Sequence, residues 1–234
     1  MALSKKRKEI TKLAQPGKMY GALEGLELVK KSAKAKFDET VELAVHLGVD
    51  PKQSDQQVRG TVLLPKGSGV KRKVLVFAKG EKEIEAKNAG ADIVGGDELV
   101  EKVSKGWLDF DVAVATPDMM RQVGTLGKVL GPRGLMPNPK TGTVSMDVAR
   151  AVSEIKAGKI EYKVNAEGVL HTRIGKASFP AADLESNLKS VMDAVMKSKP
   201  PTSKGQYLKS VAVSSTQGIG VRLDSNQFAV ASKA

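Results

Sequence analysis

Apolar and polar residues alternate over residues 40–49, and this period of two predicts a strand with one buried face. The apolar members of the segment stand at every second position: Val41, Leu43, Val45, Leu47 and Val49. Shorter alternations over 58–64 and 170–175 predict two more strands, and a last strand pair is expected around 214–220. Together they indicate a sheet that leaves one face available.

Between about residues 70 and 115 the pattern is different. The apolar runs 74–78, 91–94 and 111–115 show no alternation, and helical segments separate them. Continuous apolar strands interleaved with helices are typical of a parallel sheet that is covered on both faces.

Helices are predicted from apolar residues at helical spacing. One follows residue 19 with Leu23, Leu26 and Val29 on one face, and Asp147 caps another. The most regular helix opens at Ser178 and Pro180. Its apolar positions are Leu184, Leu188, Val191, Met192, Val195 and Met196. Residues 1–19 are predicted to be a basic arm that is held loosely when unbound.

The order of these patterns predicts one α/β domain inserted into another. The outer domain takes residues 1–66 and 160–234, and the inner domain takes residues 67–159. Glycines stand at both joints (Gly67, Gly69 and Gly158), so a two-stranded hinge is expected there.

Charge points to a polyanionic partner. The chain has 234 residues and a formal net charge of +12. The outer segments hold 23 Lys and Arg against 14 Asp and Glu, whereas the insert holds 15 against 12. Nucleic acid is the first candidate and an anionic membrane surface the second. Without cysteine, neither a disulfide nor a thiolate metal site is possible. No apolar run of membrane-spanning length and no secretory signal is predicted.

The segment from Gly124 to Gly142 reads GTLGKVLGPRGLMPNPKTG. So many glycines and prolines predict a shaped loop rather than a helix or a central strand. Its charged residues are all cations, which suits contact with an anion. A rigid packing loop with solvated cations explains the same residues equally well.

Enzymatic functions have weaker support. One segment resembles a nucleotide-binding βαβ unit, because a strand is followed by Gly80, a helix, Gly90 and a second strand. The segment lacks G-x-G-x-x-G, however, and the chain lacks a P-loop motif. His171 has no serine elbow or carboxylate pair around it in sequence. A nucleotide-dependent enzyme and a membrane-surface binder, the latter using the amphipathic helix over 180–199, remain the alternatives.

Three polar segments are candidate RNA contacts. Before the first strand, Lys36 could contact phosphate and Phe37 a ribose or base; a core position for Phe37 is slightly favoured. The segment 214–218 allows close approach to an RNA backbone or forms an ordinary hairpin turn. The predicted strand over 170–175 and its exit carry cations on the polar side, and these could contact RNA or only solvent.

The sequence GPRGLMPNPKTG over 131–142 resembles the signature of the large-subunit ribosomal protein L-one family, in its bacterial form. The segments 36–42 and 174–179 and the Ser-Thr-x-Gly turn agree with this, and the resemblance covers essentially the whole chain. It implies an α/β fold with two domains. One is a split, ferredoxin-like α+β domain, and the other is an inserted, Rossmann-like three-layer α/β domain.

The resemblance also implies a non-catalytic, cytoplasmic protein of the large ribosomal subunit, monomeric when free and without cofactor or metal. Its expected partners are large-subunit ribosomal RNA at the mobile stalk, exit-site tRNA, whose release it assists, and its own operon mRNA, which it represses. No membrane is among them.

Carried over by position, the RNA contacts are Lys36, Phe37, Thr40, Glu42, His171, Arg173, Lys176, Ser215, Thr216, Gln217 and Gly218. Many family members have Met where this chain has Gln217. The signature positions are Gly131, Pro132, Arg133, Gly134, Pro137, Lys140 and Gly142. Because these positions lie in the inserted domain, they are expected to shape that domain rather than to anchor ribosomal RNA. The same segment could also approach the first domain or tRNA.

Overall fold

The computed structural model describes residues 5–15 and 17–229, and the protein has the mixed α/β structure that the sequence predicts. The chain divides into two compact units. The first unit combines the residues up to 69 with those from 160 onward, and the second unit is Val70–Lys159.

The elements follow one another in this order. The first unit begins with α1 (Lys5–Thr11), α2 (Ala22–Ser32), β1 (Thr40–Leu47) and β2 (Arg59–Leu63). The second unit contains β3 (Val74–Phe77), α3 (Glu81–Asn88), β4 (Ile93–Gly95), α4 (Asp97–Ser104), β5 (Val112–Ala115), α5 (Met120–Val123), α6 (Gly127–Leu130) and α7 (Val148–Lys156). The first unit is completed by β6 (Lys159–Lys163), β7 (Val169–Lys176), α8 (Ala181–Lys197), β8 (Leu208–Ser215), β9 (Val221–Leu223) and α9 (Asn226–Ala229).

A four-stranded antiparallel sheet in the order β7-β1-β8-β9 organises the first unit, and β2 and β6 form a separate pair. The alternation along β1 has the predicted effect. Val41, Leu43 and Val45 are fully buried, whereas Glu42 on the other face is exposed. Helices α2 and α8 pack on the buried face. The opposite face presents the polar residues of β1 and β7.

Helix α8 is the amphipathic helix of the sequence analysis, and five of its six predicted apolar positions are buried. Helix α8 is therefore a core element of the first unit. Within the described residues no helix has both the length and the apolar character needed to cross a membrane.

The second unit is built on a parallel sheet in the order β4-β3-β5. All four residues of β3 are buried, because side chains on each of its faces meet a different core cluster. Leu75 and Phe77 pack with residues of α4 and α5, whereas Val74 and Val76 pack with residues of α3 and α7. The predicted parallel sheet with two covered faces is confirmed.

The N-terminal arm differs from the prediction. Residues 5–11 form helix α1, and Ile10 is only 6% exposed because it packs into the core of the first unit. The prediction of a loosely held arm is therefore wrong for this stretch, and residues 1–4 lie outside the described part of the chain. In α2, Leu26 and Val29 are buried as expected, but Leu23 is 45% exposed.

The segment 124–142 is also more regular than predicted. It contains α6 and two 3₁₀ turns, Gly124–Leu126 and Pro139–Thr141, rather than an irregular loop. Val123, Leu126 and Leu130 are buried at helical spacing. Their burial stabilises short helical turns in spite of the intervening glycines.

The first joint lies slightly later than the sequence analysis placed it. The first unit extends to Gly69, and not to residue 66. The buried side chain of Asn187 in α8 binds the start of this extension. Its Oδ1 accepts the N–H of Lys66, and its Nδ2 donates to the carbonyl of Gly67. The connecting segment is therefore attached to α8 before the chain enters the second unit.

Candidate nucleic-acid interface

Three segments that are distant in sequence meet at the Thr40 end of β1. They are the loop 34–39, the end of β7 with residues 176–178, and the turn 215–218. The N–H of Thr40 donates to Oγ1 of Thr216 at 3.0 Å, and Nζ of Lys176 donates to Oγ1 of Thr40 at 2.9 Å. The loop 34–39 runs directly into Thr40, so these two bonds hold the three segments together at this end of β1. Of the predicted contact residues here, Ser215 is buried, at 4% exposed.

A buried carboxylate underlies this surface. Glu39 is 1% exposed, and it accepts the N–H of Ala35 at 2.9 Å and the N–H of Gln217 at 2.8 Å. Burial on its own raises the pKa of Glu39, but these backbone donors offset burial and hold the pKa below its ordinary value. The carboxylate is therefore ionised at neutral pH and connects the loop to the turn.

The turn approaches its neighbours very closely. A Cβ added to Gly218 would lie 2.2 Å from Oγ of Ser215 and 2.4 Å from Oγ of Ser32, so only glycine fits here without a shift. From the other side, Nη1 of Arg7 in α1 donates to the carbonyls of Gln217 and Gly218. The turn is therefore shaped by contacts on both sides.

Lys36 and Phe37 project from the loop into solvent. Lys36 is exposed, and Phe37 is 53% exposed. The core position that the sequence analysis favoured for Phe37 is therefore wrong. Both residues border a cleft of about 420 Å³, whose other lining residues are Arg7, Ile10, Ser32, Lys34, Ala35 and Gln217. An exposed ring beside a cation is an arrangement that suits stacking with a ribose or base next to a phosphate.

The open face of the sheet continues the surface. Glu42 stands opposite Arg173 on one side and Ser214 on the other, and His171 stands opposite Ala44. Glu42, His171 and Arg173 are all exposed. The cross-strand register therefore brings these predicted residues together on one face.

The signature segment belongs to the second unit. Asn138 organises it: its Oδ1 accepts the N–H of Lys140, and its carbonyl accepts from the hydroxyls of Thr141 and Thr143. Gly142 has a φ of 65°, which favours glycine. Of the other signature positions, Pro137 is buried, whereas Gly131, Pro132, Arg133, Gly134 and Lys140 are exposed.

Sequence reasoning missed the roles of Glu39 and Arg7. Glu39 belongs to a quoted segment, but nothing local shows that its carboxylate reaches Gln217, 178 positions away. Arg7 was seen only as one member of a basic run. The one available signal was the excess of polar residues before β1.

A model of the Ribosomal protein L1p/L10e family matches residues 29–219. The match spans most of the 234 residues and includes the loop before β1, the end of β7, the turn and the signature segment. Members of this family are structural proteins and not enzymes. The chain therefore belongs to the Ribosomal protein L1p/L10e family and is a structural protein of the large ribosomal subunit that binds ribosomal RNA.

Proposed function

We propose that the first unit binds one folded element of large-subunit ribosomal RNA, at the base of the mobile stalk beside the tRNA exit site. The observation that carries this proposal is the meeting of the loop 34–39, the end of β7 and the turn 215–218 at one end of β1. Cations, an exposed aromatic ring and a close-packed polar turn lie side by side there.

Each part of this surface has a distinct task. Lys36, Arg173 and Lys176 supply cations for phosphates and so contribute affinity that depends on salt. Phe37 offers a ring face. The turn presents hydroxyl and backbone groups at a fixed position, where 2′-hydroxyls and phosphates of a folded RNA can bond to them. Glu42 adds an acceptor for base or ribose donors and disfavours a uniformly anionic membrane surface.

The proposal includes the roles that membership of the family suggests. The discontinuous unit is the RNA-binding, ferredoxin-like domain, and the second unit is a Rossmann-like insert. In the cytoplasm the protein assists the release of deacylated tRNA from the exit site. It also represses translation of its own operon by binding an mRNA element that resembles the ribosomal site. The ribosomal RNA and the mRNA element would use the same surface of the first unit.

Selective binding to stalk RNA is the central test. The full chain is expected to bind a fragment of the stalk RNA at least about a thousandfold more tightly than an unrelated RNA duplex at near-physiological salt, a ratio in the range of specific nucleic-acid complexes. Filter binding or fluorescence anisotropy across a salt series measures both affinities. Equal affinities for the two RNAs would contradict the proposal.

Lys36→Ala is expected to weaken stalk RNA and unrelated RNA alike and to reduce the slope of log K against log salt by about one unit, because one phosphate contact is lost. The same salt series measures this. Lys52→Ala is the matched control: Lys52 is exposed just beyond the other end of β1, and its removal also subtracts one charge. A steeper slope, or a loss confined to stalk RNA, would argue against a phosphate contact for Lys36.

A further inference from the structure

We propose that Arg7 and Glu39 are a pair of positioning residues that fix the turn 215–218 in the shape that RNA recognises. Helix α1 thereby becomes part of the binding site although it acts through the turn. This inference rests on the proposed function, since it assigns the residues that prepare the same surface for RNA.

The peptide groups around Gln217 are held from both ends by opposite charges. Its N–H donates to Oε2 of Glu39 at 2.8 Å, and its carbonyl accepts from Nη1 of Arg7 at 3.1 Å. The same Nη1 donates to the carbonyl of Gly218 at 2.9 Å. Hydrogen bonds to ionised groups are roughly twice as strong as neutral ones, so this pair restricts the turn more than an ordinary hairpin would be restricted.

Glu39 also controls the second half of the surface. Its other oxygen, Oε1, accepts the N–H of Ala35, directly before Lys36 and Phe37. One carboxylate therefore sets the distance between the exposed ring and the turn. An ionised carboxylate accepts at both oxygens, whereas a glutamine side chain has only one acceptor oxygen and presents an NH₂ group at the other position.

Helix α1 is attached at more than one point, which keeps Arg7 in place. Ile10 is buried in the core of the first unit, and Glu9 forms an ion pair with Lys34 of the loop at 3.3 Å. The ion pair is largely exposed and contributes little by itself. The buried Ile10 side chain is the main anchor, and it places Arg7 beside the turn.

Other charged groups stand on the elements that form the site. They are Lys34, Lys36 and Asp38 from its own loop, Arg7 from α1 and Lys176 from the end of β7. Asp38 is occupied separately, because its carboxylate accepts from the N–H and the hydroxyl of Ser178. The amides of Ala35 and Gln217 therefore report on Glu39.

An acid titration of the free protein tests the geometry without RNA. The pKa of Glu39 lies below its ordinary value, so its bonds to the two amides persist as the pH falls through the usual range for Glu and are lost only at lower pH. In two-dimensional NMR spectra, the amides of Ala35 and Gln217 are expected to shift with one shared midpoint, which lies below the ordinary pKa of a glutamate side chain. Glu39→Gln should abolish both shifts.

Binding measurements test the consequence for RNA. Glu39→Gln and Arg7→Ala are each expected to lower affinity for the stalk RNA fragment by about tenfold or more, the effect of losing a hydrogen bond to a charged group. Affinity of Glu39→Gln for unrelated duplex RNA should not fall, because the substitution removes a negative charge and no cation. Lys12→Ala is the control for Arg7→Ala: Lys12 is exposed just after α1 and carries the same charge.

The outcomes separate the two levels of the argument. If the amide shifts of Ala35 and Gln217 have different midpoints, Glu39 does not connect the loop to the turn. If the two amides share one midpoint but Glu39→Gln binds the stalk RNA fragment as tightly as the unaltered protein, the positioning role of Glu39 is wrong. If Arg7→Ala and Lys12→Ala lose the same affinity for stalk RNA, the positioning role of Arg7 is wrong. If the unaltered protein does not prefer stalk RNA at all, the proposed function fails, whereas the shared titration still decides whether Glu39 joins the loop to the turn.

Discussion

Asn187→Leu is expected to lower the free energy of unfolding of the first unit by about 3–5 kcal/mol, since each buried polar group left without a partner costs roughly 1–3 kcal/mol. The side chain of Asn187 is fully buried. It accepts the N–H of Lys66 at 3.0 Å and donates to the carbonyls of Gly67 at 3.0 Å and Ile174 at 2.8 Å. Leucine has a similar volume but can replace none of these bonds.

The loss would also reach the RNA surface. Ile174 lies in β7 two positions before Lys176, and Asn187 holds this strand and the connecting segment together. A Cβ at Gly69 would lie 2.8 Å from Cγ of Lys176, so the segment passes directly beside that residue. We therefore expect the variant to loosen Lys176 as well as to destabilise the unit.

Intrinsic probes distinguish the two units in a urea titration. The single tryptophan, Trp107, lies in the second unit, whereas all three tyrosines lie in the first. Asn187→Leu should move the tyrosine-detected transition to lower urea and leave the tryptophan-detected transition in place. Ser186→Ala, one position away, removes an exposed bond to the carbonyl of Ala182 and should change stability by less than about 0.5 kcal/mol. Similar midpoints for both variants would contradict the role of Asn187.

Elements whose burial follows their own periodicity could be predicted from the sequence. The alternation along β1 and the helical spacing in α8 each fix a buried face within a few residues. The apolar runs of β3 and β5 indicated a parallel sheet because both of their faces are covered. In these cases the local pattern and the tertiary packing demand the same structure.

Elements that depend on distant partners could not be predicted in this way. Helix α1 has one buried apolar residue, Ile10, and the core that receives it is formed largely by residues far along the chain. The side chain of Leu23 has the helical spacing of a core residue and is nevertheless exposed. The 3₁₀ turn Gly124–Leu126 and helix α6 form where Leu126 and Leu130 are buried, a long-range effect that overrides the weak helix propensity of glycine.

The candidate site shows the same division. The resemblance supplied the predicted contact residues, and the register of β1 and β7 explains why Glu42 and Arg173 are neighbours. The exposure of Phe37 depends on how the loop leaves α2, which no local pattern encodes. Glu39 could not be recognised as a connection between two segments, because that role appears only when residues 39 and 217 are brought together.

Gly218→Ala is expected to reduce affinity for the stalk RNA fragment by about tenfold to a hundredfold, the equivalent of the roughly 1–3 kcal/mol that overpacking a closed site costs. The added Cβ would lie 2.2 Å from Oγ of Ser215 and 2.4 Å from Oγ of Ser32. Both serines are buried, and turning the hydroxyl of Ser32 away would break its bond to the carbonyl of Val29. We therefore expect the turn to move.

Gly220→Ala provides a matched control in the same connection between β8 and β9. A Cβ at Gly220 meets nothing within 4 Å, so the same methyl group should leave stalk RNA affinity within about twofold of the unaltered protein. Anisotropy titrations of the two variants at one salt concentration give the comparison. Near-UV circular dichroism of the free proteins checks that the tyrosine environments, and hence the core of the first unit, are unchanged.

The comparison isolates the shape of the turn from its charge and composition. Neither substitution removes a cation or a hydrogen-bonding side chain, so the electrostatic part of binding should be equal in both variants. A loss of affinity specific to Gly218→Ala would therefore come from displaced backbone groups at 217 and 218, the groups that Glu39 and Arg7 hold. If both variants bind stalk RNA as tightly as the unaltered protein, RNA recognition does not depend on the close packing of this turn.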